Sequence, residues 1–217
     1  QSLASLEVAK PSGIIVILVN GNQPPEQHLY LNNWCASHES YKCVIPPSVS
    51  ESLIQDVISK DKRNDTVDYL RWRTMETLHA MFGMKEFLKT GSKYMVWLQD
   101  DVTVEKDLFS SLPDKESVCL RSDGYCGMVA YMFKKSFVQK LLPRLEKNFK
   151  GMPLDWIVDR THGNSPVRIP KVYHRGIKSS NGNIRPPTKN EANKPEPKKS
   201  PTKNITFSQK YVVVMPS

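Results

Sequence analysis

The stretch Tyr94-Met95-Val96-Trp97-Leu98-Gln99-Asp100-Asp101-Val102 decides how this chain is read. A largely apolar run ends abruptly in two adjacent carboxylates, Asp100 and Asp101. The run is too brief for a helical face and suits a buried strand. Carboxylates in the middle of such a strand would be desolvated without partners, at high cost. At its carboxyl end they stand instead at the mouth of an α/β sheet, where ligands bind. Hard carboxylate oxygens there suit Mg²⁺ or Mn²⁺, either of which can hold a diphosphate. The plainer alternative is an ordinary strand followed by a solvated acidic turn.

Upstream, residues 66–88 read as a long helix with Met75, Leu78 and Phe82 spaced as a stripe facing the sheet. Arg71-Trp72-Arg73 in its early turns places the two arginines well apart around the axis. Before it, Ser48-Val49-Ser50-Glu51 matches a capping box, and Leu53, Ile54, Val57 and Ile58 give one apolar helical face. The β-branched run 14–19 predicts a buried first strand, and residues 41–45 a short second one. Downstream, residues 104–112 predict a short helix, and 124–133 a loop entering a buried strand. Phe137, Leu141, Leu145 and Phe149 recur as a core-facing helical stripe, with Pro143 inside it as a point of kinking. Residues 152–159 form an apolar segment punctuated by acids, and 167–173 a further strand delivering His174.

Strands alternating with helices predict an α/β fold, a single Rossmann-like domain with a mostly parallel central sheet. No glycine-rich phosphate loop follows the first strand, which argues against a dinucleotide-binding or P-loop enzyme. The expected organisation is a catalytic domain over residues 1–182, a Pro/Lys/Asn-rich mobile segment over 183–203, and a strand-like segment over 204–217 that returns as an edge strand.

At 217 residues the chain is long enough to bury a real core. Its net charge of +9 is uneven, because residues 185–203 alone contribute +4. No nucleic-acid module accompanies the remainder, so nucleic acid is not an expected partner. No apolar run is long enough to span a bilayer, and a membrane anchor is expected to lie outside this chain. The four cysteines fall in two close pairs, Cys35/Cys43 and Cys119/Cys126, an even count that fits two local disulfides although three pairings exist. Sequons at Asn64-Asp65-Thr66 and Asn204-Ile205-Thr206 point the same way, to the secretory pathway.

Four pieces in order carry a family resemblance: Arg71-Trp72-Arg73-Thr74, the 94–102 stretch, Met152-Pro153-Leu154-Asp155-Trp156-Ile157-Val158-Asp159, and Val172-Tyr173-His174-Arg175-Gly176-Ile177-Lys178-Ser179-Ser180. Together they resemble the N-acetylglucosaminyltransferase IV enzymes, which carry Arg-Trp-Arg, Leu-Glu-Asp-Asp, Pro-Ile-Asp-Trp and His-x-Gly-x-x-Ser-Ser. The GPI-glycan N-acetylgalactosaminyltransferases look similar over the same region. The resemblance implies a glycosyltransferase A-type fold in the Golgi lumen. It further implies transfer of an N-acetylhexosamine, N-acetylglucosamine favoured, from a UDP-sugar to a hydroxyl of a glycan or glycoprotein acceptor, with Mn²⁺ (or Mg²⁺) and inversion at the sugar carbon. By motif position, Asp101 is the metal carboxylate of a DXD-type site and His174 a second metal ligand. Asp155 is the base that takes the acceptor proton, and Asp100 neighbours the nucleotide sugar. Arg71 and Arg73 are candidates for the diphosphate or for structural ion pairs. Gln99 stands where the family has an acid, keeping a hydrogen-bonding carbonyl but losing a charge. A non-catalytic member of the fold, binding nucleotide or glycan only, is the reading from another class.

Overall fold

Apolar residues that alternate in register build a sheet with two buried faces. The structure, a computed structural model, describes residues 2–9, 15–19, 33, 35–99, 102–122, 126–163, 166–174 and 210–215. In chain order the elements are α1 (Ser2–Ala9), β1 (Ile15–Val19), β2 (Tyr41–Val44), α2 (Glu51–Lys60), α3 (Val67–Leu88), β3 (Tyr94–Gln99) and β4 (Val102–Val104). There follow a 3-10 turn (Leu108–Ser110), β5 (Ser117–Arg121), β6 (Ala130–Lys134), α4 (Lys135–Asn148), α5 (Leu154–His162), β7 (Val167–His174) and β8 (Lys210–Met215). No helix among the described residues is long and apolar enough to cross a membrane.

The eight strands lie in the order β2-β1-β8-β3-β6-β5-β7-β4. Only β1–β2 and β5–β7 pair in parallel, and the other neighbours are antiparallel. The mostly parallel sheet expected from strand–helix alternation therefore gives way to a mixed one. The reason is a long-range insertion. β8 enters between β1 and β3, antiparallel to both, so the C-terminal strand is central rather than at an edge. β6 likewise separates β3 from β5. Even so, β1, β2, β3, β5 and β7 share one direction, so the carboxyl ends of β3 and β7 open towards the same side.

Period-two alternation sorts the side chains between layers. Ile17, Val19, Met95, Trp97, Tyr131 and Phe133 face the layer of α2, α3, α4 and α5. Val16, Leu18, Val96, Leu98, Ala130 and Met132 face the opposite side, covered by α1, β4 and the 3-10 turn. Val102 and Val104 of β4 are buried in that second cluster, in place of the helix expected over 104–112. The Trp97 indole donates to the Met128 carbonyl at 2.9 Å, which satisfies the one polar atom of a fully buried ring.

The helices show where pattern reading fails. α2 is capped by Ser50, whose hydroxyl accepts from the Leu53 N–H at 3.3 Å, rather than by Ser48 as the capping-box spacing implied. In α3 the buried positions include Leu70, Arg73, Thr74, Thr77, Ala80, Met81, Met84 and Phe87, while Met75, Leu78 and Phe82 of the expected stripe are only partly buried. Leu78 and Phe82 pack against the edge of the core and line a groove with Pro46, Pro47 and Leu53. Its buried face mixes apolar Leu70, Met81, Met84 and Phe87 with Arg73, Thr74 and Thr77, and the polar members hide the stripe from a hydrophobic count. Pro143 sits inside α4 without ending it: the Gln139 carbonyl that it deprives of a partner is on the exposed side, where water can satisfy it. Both local disulfides form, Cys35–Cys43 and Cys119–Cys126. Residues 183–203, expected to be mobile, lie outside the described residues.

Candidate active site

The β3 strand ends at Gln99, and β4 begins three positions later at Val102. Asp100 and Asp101, between them, lie outside the described residues. Their flanks are informative. Antiparallel register pairs Val102 with His174 and Val104 with Val172, so the backbone of His174 lies across from the residue that follows Asp101. Lys171 reinforces this pairing, donating to Glu105 at 3.0 Å and Asp107 at 2.6 Å, and the Tyr173 hydroxyl donates to Glu105 at 2.7 Å. The register thus places His174 at the end of the strand pair where the chain enters β4 at Val102.

The Gln99 amide donates to the Glu76 carboxylate on α3 at 3.3 Å. Glu76 in turn acts on Asp155, in the first turn of α5. The cap of α5 is Pro153, so Asp155 is not its N-cap. Its Oδ1 accepts from the Trp156 N–H at 3.0 Å. Burial pushes the Asp155 carboxyl above the usual carboxylate range; the Trp156 N–H pulls it back, and the charges of Asp159 and Glu76 add to the rise. Asp155 is half-buried, so it is reachable while holding its proton more tightly than a solvated aspartate. A carboxyl raised by burial in this way is a candidate for proton transfer.

Beneath the acids lies a buried aromatic floor. Burial raises the Tyr131 hydroxyl, the charges of Asp159 and Asp155 raise it further, and Arg168 opposes them. His162, at the end of α5, stacks on Tyr131 and Phe137 with centroids 5.9 and 4.7 Å away, and its Nδ1 lies 2.6 Å from the Ser117 hydroxyl. Burial lowers the His162 imidazole below its usual value, so it is a neutral packing element.

The two arginines are engaged elsewhere. Arg73 is 3% exposed, and its Nη1 lies 3.3 Å from both Asp61 Oδ1 and Asp65 Oδ2, two carboxylates as buried as itself. Its Nη2 donates to the Lys150 carbonyl at 3.4 Å, while Nε has no hydrogen-bond partner among the described residues. Arg71 makes a two-pronged contact with Glu51 of α2 at 2.9 and 3.0 Å, on the surface. Between them they clamp the 61–66 loop and α2 to α3. In that loop Asn64 of the first sequon is exposed and adopts φ 58°, a left-handed turn that Asn tolerates. Thr66 of the same sequon accepts from the Tyr69 N–H and caps α3. Arg63 pairs with Asp65 at 3.3 Å and lays its guanidinium 4.9 Å from the Trp156 ring centroid.

The sequence pointed to Gln99 and Asp155, and the structure brings them to one corner through Glu76. Glu76 itself went unnoticed, although it lies one helical turn beyond Arg73. Asp159, one turn beyond Asp155, closes the 152–159 segment but had been given no role. Helical spacing from a recognised residue was the available signal for both.

No family model matches the chain. Comparison with characterised proteins finds alpha-1,3-mannosyl-glycoprotein 4-beta-N-acetylglucosaminyltransferases. The A enzyme of Gallus gallus is 24% identical over 146 residues, 60% of this chain and 27% of that protein. The B enzyme of Danio rerio is 26% identical over 107 residues, covering 46% of this chain and 19% of the relative. The B enzyme of Mus musculus is 22% identical over 168 residues, 69% of this chain and 29% of its own length. The chain thus spans less than a third of each of these relatives and is similar to one part of them.

Proposed function

We propose that this chain carries the catalytic site of a metal-dependent, inverting glycosyltransferase. It moves an N-acetylhexosamine, N-acetylglucosamine by preference, from a UDP-sugar to a hydroxyl of a glycan. The observation that carries the reading is Asp155: a half-buried carboxyl whose burial raises its proton affinity, set beside Glu76 and Gln99 at the open end of β3. The similarity to mannosyl-glycoprotein N-acetylglucosaminyltransferases supports the donor and acceptor classes, and the two disulfides support a secretory-lumen location, the Golgi above all.

Asp155 accepts the proton of the attacking hydroxyl, whose oxygen bonds to the sugar carbon from the face opposite the nucleotide. The bond from that carbon to the diphosphate breaks, and its electron pair leaves on UDP. The carboxylate of Asp101 and the imidazole of His174 would hold the metal, a mixed oxygen and nitrogen pair better suited to Mn²⁺ than to Mg²⁺, and the backbone register that sets Val102 against His174 supports the assignment. Such an ion, when bound, supplies positive charge to the leaving diphosphate. Asp100 and Gln99 border the nucleotide sugar. Arg73 serves structurally, through Asp61 and Asp65, and Arg71 through Glu51.

Gln99 favours one second reading, a non-catalytic binder of nucleotide or glycan, because the family's acid is missing there. Glu76 answers it in part, since its carboxylate is held directly by the Gln99 amide. Calorimetry of UDP binding with and without Mn²⁺ tests the site: wild type binds UDP more tightly with Mn²⁺, Asp101→Ala loses that dependence, and His174→Ala weakens it. Unchanged metal dependence in Asp101→Ala would remove the assignment.

A further inference from the structure

A single exposed apolar ring is ordinary on a protein surface; what sets one apart here is its place and its support. Trp156 is 43% exposed, in a fold where Trp97 is fully buried. It directly follows Asp155 in the first turn of α5, and its backbone N–H is the group that holds the Asp155 carboxylate. One side of the ring is occupied by the Arg63 guanidinium, 4.9 Å from the centroid. Arg63 is itself held by Asp65, and Asp65 and Asp61 are fixed by the buried Arg73. A chain of buried ion pairs therefore ends in a surface contact, and that contact holds a tryptophan in place without covering it. Fixing an exposed ring in this way removes rotamer freedom that a ligand would otherwise have to remove.

We propose that the exposed ring of Trp156, backed by Arg63, is the platform on which a sugar ring of the acceptor glycan stacks, bringing its hydroxyl to Asp155. The proposal rests on the transferase reading above and assigns its acceptor side. A pyranose presents a face of polarised C–H bonds that complements the electron-rich face of an indole. Aromatic walls with a few placed polar groups are the usual lining of such sites. Because platform and base are consecutive residues of one helical turn, their spacing is set by backbone geometry and not by a loop. Arg63 adds a cation at the rim, able to donate to sugar hydroxyls from the nitrogens that Asp65 leaves open.

The test is binding of a mannose-terminated N-glycan oligosaccharide, titrated by calorimetry against wild type, Trp156→Phe and Trp156→Ala in the presence of UDP and Mn²⁺. Wild type should bind, Trp156→Ala should lose on the order of tenfold in affinity, and Trp156→Phe should fall between. UDP affinity and melting temperature should stay at their wild-type values, since the ring is surface-exposed. In turnover, the acceptor KM should rise in Trp156→Ala while the donor KM holds. Equal glycan affinity in wild type and Trp156→Ala overturns the proposal, as does no glycan binding by wild type. Glycan binding that depends on Trp156 in a protein that turns over no UDP-sugar would keep the platform and refute the transferase reading, so the two claims fail separately.

Discussion

Replacing Arg73 by methionine should unfold this protein more readily without weakening its hold on nucleotide. The side chain is 3% exposed and its two carboxylate partners, Asp61 and Asp65, are as buried, at 3% and 4%. Methionine fills much of the same volume but leaves both carboxylates without their shared cation. Removing one partner of a buried pair costs about 3–5 kcal/mol, because the remaining charge is uncompensated. Arg63, 3.3 Å from Asp65, relieves part of that loss and puts the expectation at the lower end. For a chain of this size each kcal/mol moves the melting temperature by roughly 2–4 °C, so the variant should melt about 6–12 °C below wild type. Adding Asp61→Asn and Asp65→Asn should recover much of the deficit, since the uncompensated charges are then gone. Thermal melts followed by circular dichroism, with UDP–Mn²⁺ calorimetry well below the melt, read both quantities. A melting temperature at the wild-type value together with a tenfold or greater loss of UDP affinity would refute the reasoning and return Arg73 to the diphosphate.

Three further outcomes follow from the site and its supports. Asp155→Asn should lose transfer on the order of 10²–10⁴-fold while binding UDP near normally. Because the folded-state carboxyl is raised above its ordinary value of 3.8, its favourable contribution is present below that pH and disappears as pH rises through the folded value. The asparagine variant should therefore melt slightly higher than wild type at pH 7, an advantage that vanishes in acid; a lower melt at pH 7 would contradict the burial argument. Glu76→Gln removes a charge that helps Asp155 keep its proton, so the acidic limb of the transfer pH profile should move to lower pH, and an unmoved limb would separate the two residues. Thr66→Ala deletes the cap of α3 and should cost about 1 kcal/mol in denaturant melts, with Thr66→Ser close to wild type.

The strands were legible because β1, β3 and β6 are short apolar runs whose alternate residues are buried on opposite faces, a pattern that needs no partner to be seen. β4 and β5 were not, β4 because three residues carry too little periodicity and β5 because Ser117-Val118-Cys119-Leu120-Arg121 lacks an alternating signature. Sheet direction was illegible for a different reason: it depends on where β8 inserts, a long-range choice that no local pattern encodes. The α3 stripe misled because Arg73, Thr74 and Thr77 interrupt the buried face between Leu70 and Met81, so its apolar period is broken where the pairing residues sit. At the site, the order of motifs picked out Gln99 and Asp155, whereas their connection through Glu76 exists only in three dimensions.

The central claim is chemical, and release of UDP from a panel of UDP-sugars tests it most directly. Purified wild-type protein is incubated with UDP-N-acetylglucosamine, UDP-N-acetylgalactosamine, UDP-glucose and UDP-galactose, each with a mannose-terminated glycopeptide, with Mn²⁺ or with excess chelator. The account predicts Mn²⁺-dependent UDP release that is fastest with an N-acetylhexosamine donor, N-acetylglucosamine first, with a matching mass increase on the glycopeptide. Folded protein that binds UDP but releases none from any donor, with or without Mn²⁺, would contradict it.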